Sequence, residues 1–245
     1  MRWDAVIVGG GIIGLSSAMA LSQRNPGLRL LVLEKEGAPG QHQSGRNSGV
    51  IHAGLYYRPG SLKAGMCVQG ARAMVAFAKE HGIRHELCGK LVVATSPEEL
   101  PRLEELLRRG TANGAPGLEM VGPERLREIE PHAAGLRALW SPGTGIIDYP
   151  AVVRAYARIV RERGGEIRTG AKATGVRRLG GETVVETTAG DFACGFLLNC
   201  AGLHADRVAR LAGGDVGLQI VPFRGEYYEL APGRRSLVRG LIYPV

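Results

Sequence analysis

The chain has 245 residues, of which 44% are hydrophobic and only 5% aromatic, and it contains 37 glycines. This composition supplies a sizeable core and favours an α/β fold with many tight turns over an all-β sandwich. The formal net charge is +8, but the basic residues lack the interleaved aromatics that stack on bases, so we expect no binding of nucleic acid. The expected partner is an anionic small molecule. Binding to an anionic lipid surface is left open.

No apolar run reaches the roughly 20 residues of a membrane-spanning helix, so we expect no transmembrane segment. The sequence enters an apolar strand at Trp3, which leaves no room for a cleavable signal. A cytoplasmic location is therefore expected, with peripheral attachment to the inner face of the cell membrane left open. Four cysteines form no CxxC pair and are expected to be reduced. His81, His85 and Cys88 offer three of the four ligands of a structural zinc, so no metal site is expected.

The first 34 residues predict a compact β-α-β unit. An apolar strand over residues 4–8 leads through a glycine-rich turn into a helix over 12–24, and a second apolar strand covers 28–33. A polar loop, 35–49, follows. A helix is then expected over about 61–79.

The segment 84–139 mixes short strands with a strongly charged helix over 97–109, and it resembles a module inserted into the first fold. The later predicted elements are a helix at 150–163, strands at 166–179, 183–188 and 192–200, a short helix at 204–211, and strands at 219–230 and 237–245. Asp206 and Arg207 are interpreted as an exposed helix start and its local partner. We predict two interleaved domains, one of residues 1–83 and 146–217, the other of residues 84–145 and 218–245.

Residues 241–245 stop within a strand-like run that carries no terminating signal. We therefore expect the second domain to be incomplete and the natural chain to be longer, although an unusual native end stays open.

A dinucleotide site is indicated by Gly9, Gly11 and Gly14, which fit the G-x-G-x-x-G pattern after an apolar strand and before a helix. Gly9 permits the tight turn, Gly11 lets the backbone approach a pyrophosphate, and Gly14 allows close packing of helix on strand. The amino terminus of the helix presents free N–H groups to an anion. Glu34 closes the second strand, where a carboxylate can accept hydrogen bonds from a ribose diol.

Three further features favour FAD over a nicotinamide. The loop 43–49 is dense in small hydrogen-bond donors, the strand ending at Asn199 is followed by the small residues Cys200, Ala201 and Gly202, and the chain has a single fingerprint. The predicted fold class is α/β, a Rossmann-type FAD-binding domain, formed by the first of the two domains, with an interleaved α+β substrate domain. The cofactor residues are expected to be Gly9, Gly11, Ile12, Ile13, Gly14, Glu34, Lys35, Ser44, Arg46, Asn47, Ser48, Cys200, Ala201 and Gly202.

Several longer motifs resemble a known family: residues 44–57, 59–64, 199–203 with Asp206 and Arg207, and 222–228. They are similar to the glycine oxidase and D-amino acid oxidase type of FAD-dependent oxidoreductases, and within it to the L-2-hydroxyglutarate oxidase/dehydrogenase family. The resemblance alone adds Ala173 to the cofactor contacts, on the strand whose backbone meets the adenine. It also implies a later FAD-binding segment that is not in this sequence.

The resemblance implies oxidation of L-2-hydroxyglutarate to 2-oxoglutarate, with hydride transfer to the flavin N5. His52 is the candidate base that accepts the hydroxyl proton, and a flavin hydrogen bond, a covalent flavin link or loop packing are its alternative roles. Arg46, Lys63 and Arg224 are candidates for binding substrate or cofactor anions. Tyr57, with its neighbour Tyr56, is a candidate hydrogen-bond donor in the site, and packing is the alternative.

Two other functions stay open. One is a sister enzyme of the same architecture that acts on an amino acid or on glycerol 3-phosphate. The other is a non-catalytic flavin-binding subunit. The sequence also leaves open whether electrons pass to O2 or to a membrane quinone.

Overall fold

The computed structural model describes residues 2–245 of the chain. Its strands are β1 Arg2–Val8, β2 Leu30–Leu33, β3 Val50–Ile51, β4 His85–Glu86, β5 Lys90–Ala94, β6 Glu119–Val121, β7 Arg137–Ser141, β8 Gly145–Ile147, β9 Glu166–Arg168, β10 Ala173–Leu179, β11 Glu182–Thr187, β12 Gly190–Asn199 and β13 Leu241–Pro244. Its α-helices are α1 Ile12–Arg24, α2 Leu62–Glu80, α3 Leu100–Ala112, α4 Pro123–Ile129, α5 Tyr149–Glu162 and α6 Ala205–Leu211. None of these helices is long and apolar enough to cross a membrane.

The described residues fall into two compact units. Unit one runs to Asn47 and resumes over Tyr149–Gly225, and unit two comprises Ser48–Asp148 and Glu226–Val245. The predicted domain boundaries differ from this division in three places, of which the shortest is residues 146–148, which lie in unit two. Residues 48–83 lie in unit two, because β3 pairs with β8 of that unit. Residues 218–225 lie in unit one, where the Ile220 N–H donates to the Asp206 carboxylate.

Unit one is built on a six-stranded sheet in the order β10-β11-β12-β1-β2-β9. The four strands from β12 to β9 are parallel, and β11 and β10 extend the sheet as antiparallel strands. Leu30–Leu33 is buried at every position, as is typical of a parallel strand covered on both faces. The helices α1 and α5 pack against each other within this unit. The α/β fold class is confirmed.

Unit two contains two smaller sheets. One has the order β13-β5-β7-β6, in which β13 is parallel to β5 and the remaining pairs are antiparallel, and the other is the antiparallel sheet β3-β8-β4. Leu103 of α3 packs on Val92 of β5 and Leu139 of β7 in a core that also contains Leu55. The inserted module is thus an α+β structure with its own core.

Three predictions made from the sequence are wrong. Residues 219–230 form no strand, because an alternating pattern needs a neighbouring strand edge to pair with, and the segment pairs with none within residues 2–245. The predicted strand 166–179 is two strands, β9 and β10, which lie at opposite edges of the sheet and are separated by a turn with Gly170 at φ +68°. Asp206 is 5% exposed and paired with Arg210, so it is not an exposed helix start.

Gly14→Ala should destabilise the protein, because a Cβ at this position would lie 1.9 Å from the Gly9 carbonyl oxygen. We expect the free energy of unfolding, measured by urea denaturation, to fall by about 1–3 kcal/mol or more. The matched control is Gly70→Ala in α2, where an added Cβ meets no atom within 4 Å. That change should raise stability by about 0.5–1 kcal/mol. Equal stability of the two variants would contradict the packing described here.

Candidate functional site

The turn between β1 and α1 is closed by backbone contacts. Gly9 has φ +114°, and a Cβ there would lie 2.2 Å from the Cys200 carbonyl oxygen. The Cys200 N–H donates to the Val8 carbonyl at 2.8 Å, which fixes the end of β12 beside the turn. Gly9 and Gly14 are therefore required by protein packing, as their spacing in the motif predicts.

Gly11 differs from these two glycines. A Cβ on Gly11 would meet only the Ser44 Oγ, at 3.2 Å, and its backbone has the ordinary extended conformation of a helix N-cap. Within residues 2–245, no backbone atom close to this Cβ position explains the small residue. A backbone free of side chains at the amino terminus of α1 is the arrangement that binds a pyrophosphate.

Ser44, from the loop that follows β2, contacts the same turn. Its Oγ accepts a hydrogen bond from the Ile12 N–H at 2.9 Å. Since the oxygen is the acceptor in this bond, the hydroxyl proton can be donated to a phosphate oxygen. The first turn of α1 carries no acidic residue that would repel an anion. These groups fit a diphosphate.

Glu34 is held at the carboxyl end of β2 by two backbone hydrogen bonds. Its Oε2 accepts from the Gly10 N–H and its Oε1 from the Glu36 N–H, both at 2.9 Å. The side chain is 8% exposed. An ionised carboxylate offers roughly four lone-pair positions, so both oxygens retain capacity to accept a ribose hydroxyl. The sequence-based placement of Glu34 beside the glycine turn agrees with this geometry.

Lys35 is engaged by its own loop. Its Nζ bonds the Glu36 carboxylate and lies 3.0 Å from the His42 Nε2, which in turn lies 2.9 Å from Glu36 Oε1. Hydrogen bonds from His42 and Lys35 lower the pKa of Glu36 to about 2. Sequence analysis did not single out Glu36 or His42, because nothing in the local pattern shows that residue 42 folds back on residue 36.

Most of the remaining predicted cofactor residues belong to unit one. Asn47 closes the loop by donating from Nδ2 to the Gln43 and Ser44 carbonyls, at 2.9 and 3.0 Å. A Cβ on Gly202 would lie 3.7 Å from Gln43 Oε1, which places the segment after β12 beside this loop. Unit one also contains the predicted residues Ile13, Arg46, Ala173, Ala201 and Arg224, whereas Ser48, His52, Tyr57 and Lys63 belong to unit two.

In unit two, His52 lies beside a group of polar side chains that includes Lys90. The Cys67 thiol donates to the His52 carbonyl oxygen, with Sγ and O 3.3 Å apart. Burial, with a smaller contribution from the positive charge of Lys90, lowers the pKa of His52. The imidazole is therefore neutral at neutral pH, which is the state that accepts a proton.

Lys90 is only 1% exposed, although it is a lysine on a central strand. Its Nζ donates to the Tyr56 hydroxyl at 3.3 Å and lies 4.4 Å from the centroid of the same ring and 5.1 Å from that of Tyr243. Burial lowers the pKa of Lys90 to about 8, so that it remains largely charged at neutral pH. Burial also raises the pKa of Tyr56.

Asn113 of α3 holds the loop that carries Tyr56. Its Nδ2 donates to the carbonyls of Gly54 and Tyr57, at 2.9 Å each. Tyr57 thus contributes its backbone to this clamp, while its neighbour Tyr56 contacts Lys90. Lys63 lies exposed in the first turn of α2. Sequence analysis missed Lys90 and Asn113, since neither belongs to a motif.

The described residues contain no group of three His, Cys, Asp or Glu side chains placed to hold a metal ion. Unit one offers an organic anion free N–H groups and a hydroxyl at a helix terminus and a carboxylate for a sugar, and unit two separately contains a neutral histidine near a buried cation.

Comparisons with known proteins agree with this chemistry. The chain is 44% identical over 246 residues to an L-2-hydroxyglutarate dehydrogenase of Indibacter alkaliphilus, covering 100% of this chain and 62% of the relative. It is 46% identical over 244 residues to an L-2-hydroxyglutarate dehydrogenase of Escherichia coli K12, covering 99% of this chain and 58% of the relative. The chain thus spans about three-fifths of the length of these curated relatives.

A similar solved structure is the dithionite-reduced L-alpha-glycerophosphate oxidase of Mycoplasma pneumoniae with FAD bound. It has a TM-score of 0.85 at 25% identity, and the match covers 100% of this chain and 65% of that one. The family model for FAD dependent oxidoreductases, DAO, matches residues 4–245. The expectation of FAD as the cofactor is confirmed by this match. The chain belongs to the DAO family of FAD dependent oxidoreductases.

Proposed function

We propose that this chain binds FAD through unit one and that the full-length protein oxidises L-2-hydroxyglutarate to 2-oxoglutarate. The main support for the proposed substrate is the 44–46% identity to L-2-hydroxyglutarate dehydrogenases along essentially the whole chain. A net charge of +8 is consistent with an anionic substrate.

The pyrophosphate of FAD would lie against the amino terminus of α1, where Gly11 leaves the backbone bare and the Ser44 hydroxyl donates. Glu34 would accept hydrogen bonds from the ribose. We retain Ile12, Ile13, Lys35, Arg46, Asn47, Ser48, Ala173, Cys200, Ala201 and Gly202 as proposed cofactor contacts. When bound, the flavin supplies a two-electron acceptor for the hydride that leaves C2 of the substrate.

His52 is the proposed general base. A histidine whose pKa lies below its ordinary value is neutral at pH 7 and accepts the proton of the substrate hydroxyl at an imidazole nitrogen. The Cys67 hydrogen bond to the His52 carbonyl fixes the backbone from which the ring projects. This geometry favours the base role over packing, because the His52 side chain is only partly buried and keeps a surface open to solvent.

The two carboxylates of the substrate require cations or donors that hold C2 in place for hydride transfer. Arg46, Lys63, Arg224 and Tyr57 remain the proposed contacts, with arginine suited to bidentate binding. The proposed electron acceptor is O2 or a membrane quinone. We propose a cytoplasmic location with peripheral association at the inner face of the membrane.

A glycerol phosphate is the second candidate substrate, because the M. pneumoniae enzyme shares the fold over the whole chain. It too is a small anion with an oxidisable hydroxyl carbon. The lower identity of that protein, 25%, makes it the weaker candidate.

The substrate assignment predicts that L-2-hydroxyglutarate bleaches the flavin absorbance of the full-length holoprotein under anaerobic conditions. The D enantiomer, glycerol 3-phosphate and glycine should leave the oxidised band unchanged over the same time. Stopped-flow absorbance measures all four. Bleaching by glycerol 3-phosphate alone would establish the second candidate, and bleaching by none of them would remove the enzymatic proposal.

Replacing the proposed base, His52→Gln, should lower the limiting rate of flavin reduction by about 10²–10⁴-fold while FAD remains bound. The matched control, His132→Gln, changes an exposed histidine of the same unit and should leave the rate unchanged.

The pH profile tests the same role. The base acts when deprotonated, so the reduction rate should rise with pH through the His52 pKa and reach a plateau. Because that pKa is lowered, the midpoint should fall below pH 6.5. A midpoint above this value, or a His52→Gln variant that reduces at the normal rate, would rule out His52 as the base.

Gly11→Val should abolish FAD retention, since its side chain would occupy the position of the pyrophosphate. The fold should survive, because Gly11 has φ −79° and a Cβ there meets no backbone atom. Flavin absorbance per chain and thermal unfolding of the purified variant measure the two effects. A yellow, folded variant would place the cofactor elsewhere.

A further inference from the structure

Lys90 is a buried cation without a carboxylate partner. Among residues 2–245, the hydrogen-bond partner of its Nζ is the Tyr56 hydroxyl, and no Asp or Glu lies within ion-pair distance. Lysine is almost never fully buried unless it is paired, because an ammonium loses its hydration in the interior. Packing of the side chain therefore does not explain why residue 90 is charged.

The surroundings of Lys90 compensate the charge only in part. The faces of Tyr56 and Tyr243 lie within cation–π distance, and the Tyr56 hydroxyl accepts one hydrogen bond from the ammonium. The other titratable neighbours are Cys67 on α2 and His52 after β3. Neither the rings nor a neutral thiol supplies a negative charge, so the cation is left to attract an anion from outside the chain.

Tyr56 connects the buried cation to solvent. Its side chain is 41% exposed, and its hydroxyl is the acceptor in the bond from Lys90. The hydroxyl proton has no acceptor within residues 2–245 and is left to be donated outward. A hydroxyl that accepts from an ammonium is polarised and becomes a stronger donor. Tyr56 therefore presents a strengthened O–H donor at the surface of unit two.

The position of this donor is fixed from two directions. Asn113 clamps the loop by bonds to the Gly54 and Tyr57 carbonyls, and Lys90 holds the tyrosine hydroxyl. A donor held in this way loses little conformational entropy when an anion binds.

We propose that Lys90 is a positioning residue for substrate, which acts through the Tyr56 hydroxyl to bind a carboxylate of the anionic substrate. This inference rests on the proposed function, adds Lys90, which no sequence motif singles out, and gives the Tyr56 hydroxyl a specific partner in the substrate. Tyr56 thus joins Tyr57 among the proposed contacts of the substrate.

The stability of a Lys90 variant distinguishes a substrate-binding role from a purely structural one. Lys90→Met keeps the length of the side chain and removes an unpaired buried charge, so the full-length holoprotein should be as stable as the wild type or more stable. If Lys90 were needed only for the fold, the variant would unfold at a lower temperature.

The test measures binding of glutarate, a dicarboxylate that has no hydroxyl to oxidise, by isothermal titration calorimetry. The proteins are the full-length holoprotein and its Lys90→Met, Tyr56→Phe and double variants, with Lys79→Met, an exposed lysine of α2, as the matched control. Each single variant should bind glutarate about ten-fold more weakly or worse. The double variant should be no more than about three-fold weaker than Tyr56→Phe. Lys79→Met should bind normally.

The pH dependence of binding supplies a second readout. Glutarate is fully ionised above pH 7, so wild-type affinity should fall as the pH rises through about 8, where Lys90 loses its proton. Cys67 and Tyr56 titrate at higher pH because burial raises their pKa. Lys90→Met should show no such fall.

Normal glutarate affinity in Lys90→Met, or fully additive losses in the double variant, would overturn the inference. So would a wild type that does not bind glutarate. Reduction by L-2-hydroxyglutarate is measured separately. A wild type that binds glutarate in the predicted manner but is not reduced by L-2-hydroxyglutarate would refute the proposed reaction and leave the anion site standing.

Discussion

The turn after β1 has no room for side chains where it meets the rest of unit one. A Cβ on Gly9 would collide with the Cys200 carbonyl and one on Gly14 with the Gly9 carbonyl. These contacts place the amino terminus of α1 directly above the ends of β1 and β12. Glu34 of the neighbouring strand accepts from the Gly10 N–H and Ser44 from the Ile12 N–H, which leaves the Gly11 and Ile13 N–H groups for an anion. The proposed cofactor site depends on this one close approach of backbone to backbone.

Local signals in the sequence predicted the part of the fold that local physics determines. The apolar run of β1, the glycine turn and the helix α1 lie within a single short segment. The predicted order of strand, turn and helix is confirmed there. The strand predicted over 219–230 was wrong, because strand formation depends on a partner that the segment itself does not encode. Dividing 166–179 into β9 and β10 likewise depends on which sheet edges are available, and only the assembled sheet determines that.

The candidate site was predictable where residues form a motif and unpredictable where they meet through the fold. Gly11, Ser44 and Glu34 follow from the fingerprint and its loop. Lys90 lies in an apolar strand and contacts Tyr56 34 positions earlier, and Asn113 reaches the same loop from α3. A single lysine in a strand carries no pattern, so its burial is visible only in the structure. The proposed roles of the two units thus differ in how far sequence alone supports them.

The central claim is that bare backbone amides at the start of α1 bind the diphosphate of FAD. A crystal structure of the full-length holoprotein tests it most directly. The account predicts pyrophosphate oxygens within hydrogen-bond distance of the Gly11 and Ile13 N–H groups and of the Ser44 hydroxyl, with the ribose on Glu34. Electron density that shows this crevice filled by protein atoms, with the flavin bound elsewhere, would contradict it.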